Sequence, residues 1–108
     1  MSAPGAVLDA VFDALANERR REIVTLLAHR PMTTPEVGAH FGFTKQALNR
    51  HVGLLEDAGI VSRTLHGRMH DLALVPERLD GVSLWVAELR GGWADFNRLE
   101  GVLHARND

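Results

Sequence analysis

Between Thr33 and Val61 the chain carries two short segments of helical periodicity, separated by Phe41-Gly42-Phe43. The second segment ends in Ala58-Gly59 and runs straight into the apolar pair Ile60-Val61. A glycine at each junction supplies the left-handed backbone that a tight turn or an abrupt helix stop requires. Few architectures satisfy both constraints. The one that does so most simply is a helix-turn-helix, in which the second helix enters the major groove of DNA. That second segment opens with Thr44, Lys45 and Gln46 and continues through Asn49 and Arg50, side chains suited to phosphates and base edges.

Local signals extend the pattern in both directions. Val7, Leu8, Val11, Phe12 and Leu15 recur at helical spacing and predict a first helix over about residues 6–15. Asn17 is a candidate N-cap for a second helix, with Ile23, Leu26 and Leu27 as its buried face and Pro31 beyond its end. Met32-Thr33 reads as a short extended segment. Thr34 is expected to cap the third helix, with Pro35 at the first helical position and Gly42 closing it. Thr44 then caps the fourth, with Phe43 placed to staple onto Leu48. Its inner face is Leu48, Val52 and Leu55. Gly38 in the preceding helix suggests that the two helices lie too close for a side chain.

Ile60 to Leu65 and Met69 to Leu74 alternate like strands around His66-Gly67-Arg68, and Gly67 suits a tight hairpin. A final helix follows Pro76, with Leu79, Val82, Val86, Leu89, Trp93, Phe96 and Leu103 at helical spacing, and Trp85 and Leu99 widening the stripe. Gly91-Gly92 interrupt it, marking either a kink or the close approach of another helix. The fold expected is mainly α with a small β-hairpin, in the order α-α-(β)-α-α-β-β-α. It forms a single winged-helix domain over residues 1–108. The helix-turn-helix covers about 34–58 and the wing about 60–75, between flanking helices at about 6–15 and 77–104.

Composition narrows the function. A length of 108 residues, 45% hydrophobic and 24% charged, fits one globular domain. No apolar run reaches the roughly 18 residues of a membrane span, and Met1 to Gly5 lack a secretory signal's features. The absence of cysteine excludes disulfides and thiolate metal sites and fits the cytoplasm. The formal net charge of −2 is unevenly spread: residues 17–70 carry +3, while residues 1–16 carry −2 and residues 71–108 carry −3. The basic excess falls on the helix-turn-helix segment. With no Gly-x-Ser-x-Gly, phosphate loop or paired carboxylates, an enzyme is not expected and no cofactor is called for.

The order and spacing of several stretches within residues 15–75 resemble the ArsR/SmtB-type family of winged-helix repressors. They are Leu15-Ala16-Asn17-Glu18-Arg19-Arg20-Arg21-Glu22-Ile23, Glu36 with Phe41-Gly42, Asn49-Arg50-His51, Leu55-Glu56-Asp57-Ala58-Gly59-Ile60-Val61, and Gly67-Arg68. The resemblance implies a homodimer joined through its first and last helices, repressing transcription from an imperfect palindrome. The chain departs from the family's metal sensors. It has no cysteine on the helix before the recognition helix, and Asp95-Phe96-Asn97 with His104 only partly matches the Asp-x-His pattern. Lys45-Gln46 also stand where many members have Gln-Pro or Gln-Ser, so no operator sequence carries over.

Gln46, Asn49 and Arg50, a helical turn apart, are the candidate base readers, with Thr44 and Lys45 on phosphate. His51 is assigned evenly to a phosphate or to packing against the second helix. Arg68 at the wing tip and Arg63 on its strand suit a minor groove, and Arg20 is the choice among the three consecutive arginines. Trp85, Val86, Leu89, Trp93 and Phe96, with Leu99 and Leu103, offer more apolar area than so small a domain can shield and are assigned to a dimer interface, to which the resemblance adds Val7, Leu8, Val11 and Phe12 of the first helix. Double-stranded DNA and a second copy are therefore the expected partners, with an effector of unknown identity besides. Two readings compete: a metal-responsive regulator using some of His29, His40, His66, His70 and His104, and a protein-interaction module that never meets DNA.

Overall fold

An asparagine separates the first two helices: Asn17 is extended, and its side-chain oxygen accepts the Arg20 N–H at 3.1 Å. A computed structural model of the chain describes residues 4–107, with side chains over residues 5–100. Its elements are α1 (Pro4–Leu15), α2 (Glu18–Leu27), β1 (Met32–Thr33), α3 (Thr34–Phe41), α4 (Lys45–Asp57), β2 (Val61–His66), β3 (Met69–Leu74), a 3-10 turn (Pro76–Leu79) and α5 (Asp80–Asn107). The three strands form an antiparallel sheet in the order β1-β3-β2. This is the winged helix-turn-helix expected from the sequence. Leu103 and His104 lie outside the described side chains.

One buried cluster joins the elements. Val11 of α1, Ile23 and Leu27 of α2, Val37 of α3, Leu48, Val52 and Leu55 of α4, and Leu72 of β3 meet Ile60 and Val61 at the start of the hairpin. Val11 is fully buried in its own subunit. That corrects its assignment to a dimer interface: Val11 and Ala14 together turn the centre of the α1 stripe inward, leaving Phe12 at its edge.

The cap of α3 also differs from expectation by one residue. Thr33, not Thr34, is the N-cap: its hydroxyl oxygen accepts the Glu36 N–H at 3.3 Å, and the Glu36 carboxylate accepts the Thr33 N–H at 3.1 Å. This reciprocal box requires an acid three residues after the cap, and Glu36 stands at that distance from Thr33. Thr33→Ala is therefore expected to lower stability by about 1 kcal/mol, and Thr34→Ala by under about 0.5 kcal/mol. Urea denaturation of the two variants checks this.

From Ser83 to Leu99 every residue of α5 is exposed. The helix runs unbroken through Gly91-Gly92, and a Cβ on either would meet nothing within 4 Å. Neither a break nor a close neighbour within the subunit accounts for the pair. Among the described residues, no helix is long and apolar enough to cross a membrane.

Candidate nucleic-acid interface

The recognition helix is fixed at both ends by its own sequence. At its start the Thr44 hydroxyl oxygen accepts the Ala47 N–H at 3.1 Å. At its end Gly59 takes φ +77°, its N–H bonding the Glu56 carbonyl at 2.9 Å while the Ile60 N–H bonds the Leu55 carbonyl at 3.0 Å. These two bonds are a Schellman motif, and Leu55 and Ile60, the apolar pair that accompanies it, are both fully buried. The neighbouring helix sits close, since a Cβ on Gly38 would stand 3.3 Å from Cδ2 of Leu48. Lys45, Gln46, Asn49 and Arg50 are all exposed, with no ion pair or side-chain hydrogen bond among the described residues.

His51, on the same helix, is half-buried. Its ring centroid lies 5.7 Å from that of Phe43, which itself stacks on Phe41 and lies under the Arg19 guanidinium. Its Nδ1 is buried with no hydrogen-bond partner. Burial first, then Arg20, Arg50 and Arg19, holds its pKa below the ordinary 6.5. A depressed imidazole pKa means that the unfolded chain takes up a proton that the folded one refuses. Stability should therefore decline as pH falls through 6.5 toward the folded value, and His51→Gln should flatten that slope in urea melts. Glu36 acts in a lower window. Its backbone bond to Thr33 and its ion pair with Arg30 at 3.0 Å hold its pKa below 4.5, so its contribution is lost only in acid beneath that value.

The hairpin places Gly67-Arg68 at its tip between the paired His66 and Met69, with φ +60° at Gly67. A positive φ at the first turn residue alone is the II′ pattern favoured by twisted hairpins. Arg68 is exposed and, among the described residues, unpaired. Arg63 is placed differently: its guanidinium donates to Glu56 at 2.7 and 3.1 Å, with both side chains mostly buried. It ties the base of the wing to the recognition helix. Arg20 is likewise engaged within the subunit, donating to the carbonyls of Ala14 and Asp13 at the end of α1, while Arg21 donates to Leu15 at 2.8 Å. Cations are drawn to the unpaired carbonyls at a helix C-terminus. Arg19 pairs with Glu22 at 3.4 Å. A basic run one loop beyond a helix end was the sequence signal for this role.

The apolar face of α5 is open to solvent. Trp93 is 63% exposed, Leu99 63%, Leu89 52% and Phe96 51%, while Trp85 and Val86 are somewhat more covered. Trp93 stacks on Phe96, and Trp85 meets Phe12 of α1 edge-on with centroids 5.4 Å apart. Val7 and Leu8 line a cleft against the 3-10 turn. Asp95 pairs with Arg98 at 2.6 Å and His66 lies 3.4 Å from Asp71. Among the described residues, no group of three or more histidine or acidic side chains is placed to hold a metal ion.

Residues 15–64 match the helix-turn-helix domain family. The transcriptional repressor SdpR of Bacillus subtilis (strain 168) is 31% identical over 55 residues, a match spanning 51% of this chain and 61% of that protein's length. A crystal structure of an ArsR family transcriptional regulator superposes with a TM-score of 0.77 at 29% identity, covering 87% of this chain and 97% of the other. A possible transcriptional regulator for arsenical resistance is 30% identical with a TM-score of 0.63, covering 78% of this chain and 93% of its own.

Proposed function

The chain belongs to the ArsR-type winged helix-turn-helix family of DNA-binding transcriptional regulators, and on that premise we propose that it is a homodimeric repressor of a two-fold symmetric operator. The observation that carries this is the pairing of an unobstructed recognition face on α4 with an unburied aromatic face on the C-terminal helix α5. Trp93, Phe96, Leu89 and Leu99 are too exposed for a lone subunit's core, and contiguous apolar patches of that kind mark partner surfaces. A second copy meeting α5 and the Phe12 edge of α1 would set two recognition helices about 34 Å apart, one duplex turn. The matched repressor SdpR lends weight to repression as the outcome.

Within each protomer, Gln46, Asn49 and Arg50 read base edges while Thr44, Lys45 and Arg68 engage the backbone and minor groove. His51 supports the helix from behind. Selection of bound sequences from a random duplex pool tests the reading. Arg50→Ala should lose about 1–3 kcal/mol of preference for the selected base over its alternatives, whereas Arg68→Ala should weaken every duplex alike. Equal losses on all sequences from both variants would remove Arg50 from base reading.

The free cations also fix a salt dependence. Among the described residues, Lys45, Arg50 and Arg68 are the unpaired basic side chains of this face, and a dimer doubles them. The slope of log K against log salt is expected near −5. A slope near −10, measured by titrating salt into the complex, would show that Arg20, Arg21 and Arg63 leave their internal partners for phosphate.

A further inference from the structure

Arg78 stands in the 3-10 turn at the root of α5, and its guanidinium lies against the backbone of Gly59 at the end of α4. A Cβ placed on Gly59 would come 2.5 Å from Nε, 2.7 Å from Nη2 and 2.8 Å from Cζ of Arg78. With Nε and Nη2 nearer than Cζ, the Nε–Nη2 edge of this exposed guanidinium leans obliquely against a residue with no side chain. Close by, the Val75 N–H donates to the Ile60 carbonyl at 2.8 Å. The end of the recognition helix and the root of α5 are thus joined at two adjacent points. Arg78 also borders the clefts on both sides of the junction, one walled by Val7, Leu8 and Val11 of α1 and the other by Asp57 and Ala58. It has no ionic or hydrogen-bonded side-chain partner among the described residues. Packing, not neutralisation of a carboxylate, is what this side chain contributes.

We infer that Arg78 is a positioning residue that sets the angle between α5 and α4, and through it the separation of the two recognition helices. The inference rests on the dimeric reading above. Geometry makes the junction sensitive: α5 has 28 residues, so it is about 42 Å long, and a rotation of about 10° at its root moves its far end by about 7 Å. Gly59 is required for its positive φ, and its lack of a side chain also leaves room for the Arg78 guanidinium to lie against the backbone. A lysine at position 78 would keep the charge but lacks the broad rigid head whose Nε–Nη2 edge makes this contact.

The chain has no cysteine, so Lys45→Cys provides a single spin-label site at the start of each recognition helix. Pulsed dipolar spectroscopy on the full-length dimer, without DNA, then reads the separation directly. With Arg78 intact, one narrow distribution is expected at a distance compatible with successive grooves, about 34 Å. Arg78→Ala and Arg78→Lys should each at least double its width, while the dimerisation constant from sedimentation stays within twofold. An unchanged width in both variants would overturn the inference and leave the dimer standing. Absence of dipolar coupling with Arg78 intact would remove the dimer itself, and the inference with it.

Discussion

On the dimeric reading proposed above, Trp93→Asp should yield a folded monomer and lower affinity for a paired operator by about 100-fold or more. Trp93 is 63% exposed and, among the described residues, its ring stacks on Phe96 alone, itself half-exposed, so its loss opens no cavity in the cluster formed by Ile23, Val52, Leu55 and Leu72. The circular dichroism and melting of the subunit should change little. At an interface, however, a carboxylate would have to be desolvated without a partner, which association cannot offset. A monomer then binds each half-site separately and forfeits the effective concentration, of millimolar order, that a linked second module supplies. Sedimentation equilibrium and titration of a half-site against a full site separate the two effects. If half-site and full-site affinities both stayed at the values of the unsubstituted protein, the α5 face would have no part in dimerisation.

Leu55→Ala should cost about 2–5 kcal/mol, a large part of the roughly 5–15 kcal/mol that stabilises a domain of this kind. Leu55 has no exposed surface and supplies the carbonyl that receives the Ile60 N–H in the Schellman motif. Truncation would leave a void under the joint where α4 passes into β2, with the fully buried Ile60 and Val52 losing a neighbour. Leu54, adjacent in sequence but 41% exposed, is the control: Leu54→Ala should change stability by under about 0.5 kcal/mol. Urea melts followed by far-ultraviolet circular dichroism compare the pair. Similar midpoints for both variants would contradict the inward orientation of Leu55.

The parts of the fold legible in the sequence are those fixed within four residues along the chain. Thr44 as a cap, Gly42 and Gly59 as stops and Gly67 in the hairpin each follow from one residue's backbone preference or side-chain reach. The inner face of α4 follows from period alone. Thr33 and Thr34 show where the local reading fell one residue out: both are good caps, and the position of Glu36 distinguishes them. The arginines were less legible, because their partners belong to other elements. Arg20 and Arg21 reach back to the carbonyls closing α1, and Arg63 reaches across the turn to Glu56. Nothing in the residue type separates an arginine bound inside the subunit from one left for phosphate. Arg78 is illegible for the same reason, its neighbour being a bare backbone nineteen positions earlier in the chain.

The internal use of Arg20, Arg21 and Arg63 has a further consequence for how such a regulator finds its target. A genome is a vast polyanion, and proteins rich in mobile cations linger on it wherever they land. With so few charges left over, this one should dwell briefly on random duplex and travel chiefly by diffusion through solvent. Capture at the right address then depends on matched hydrogen-bonding edges.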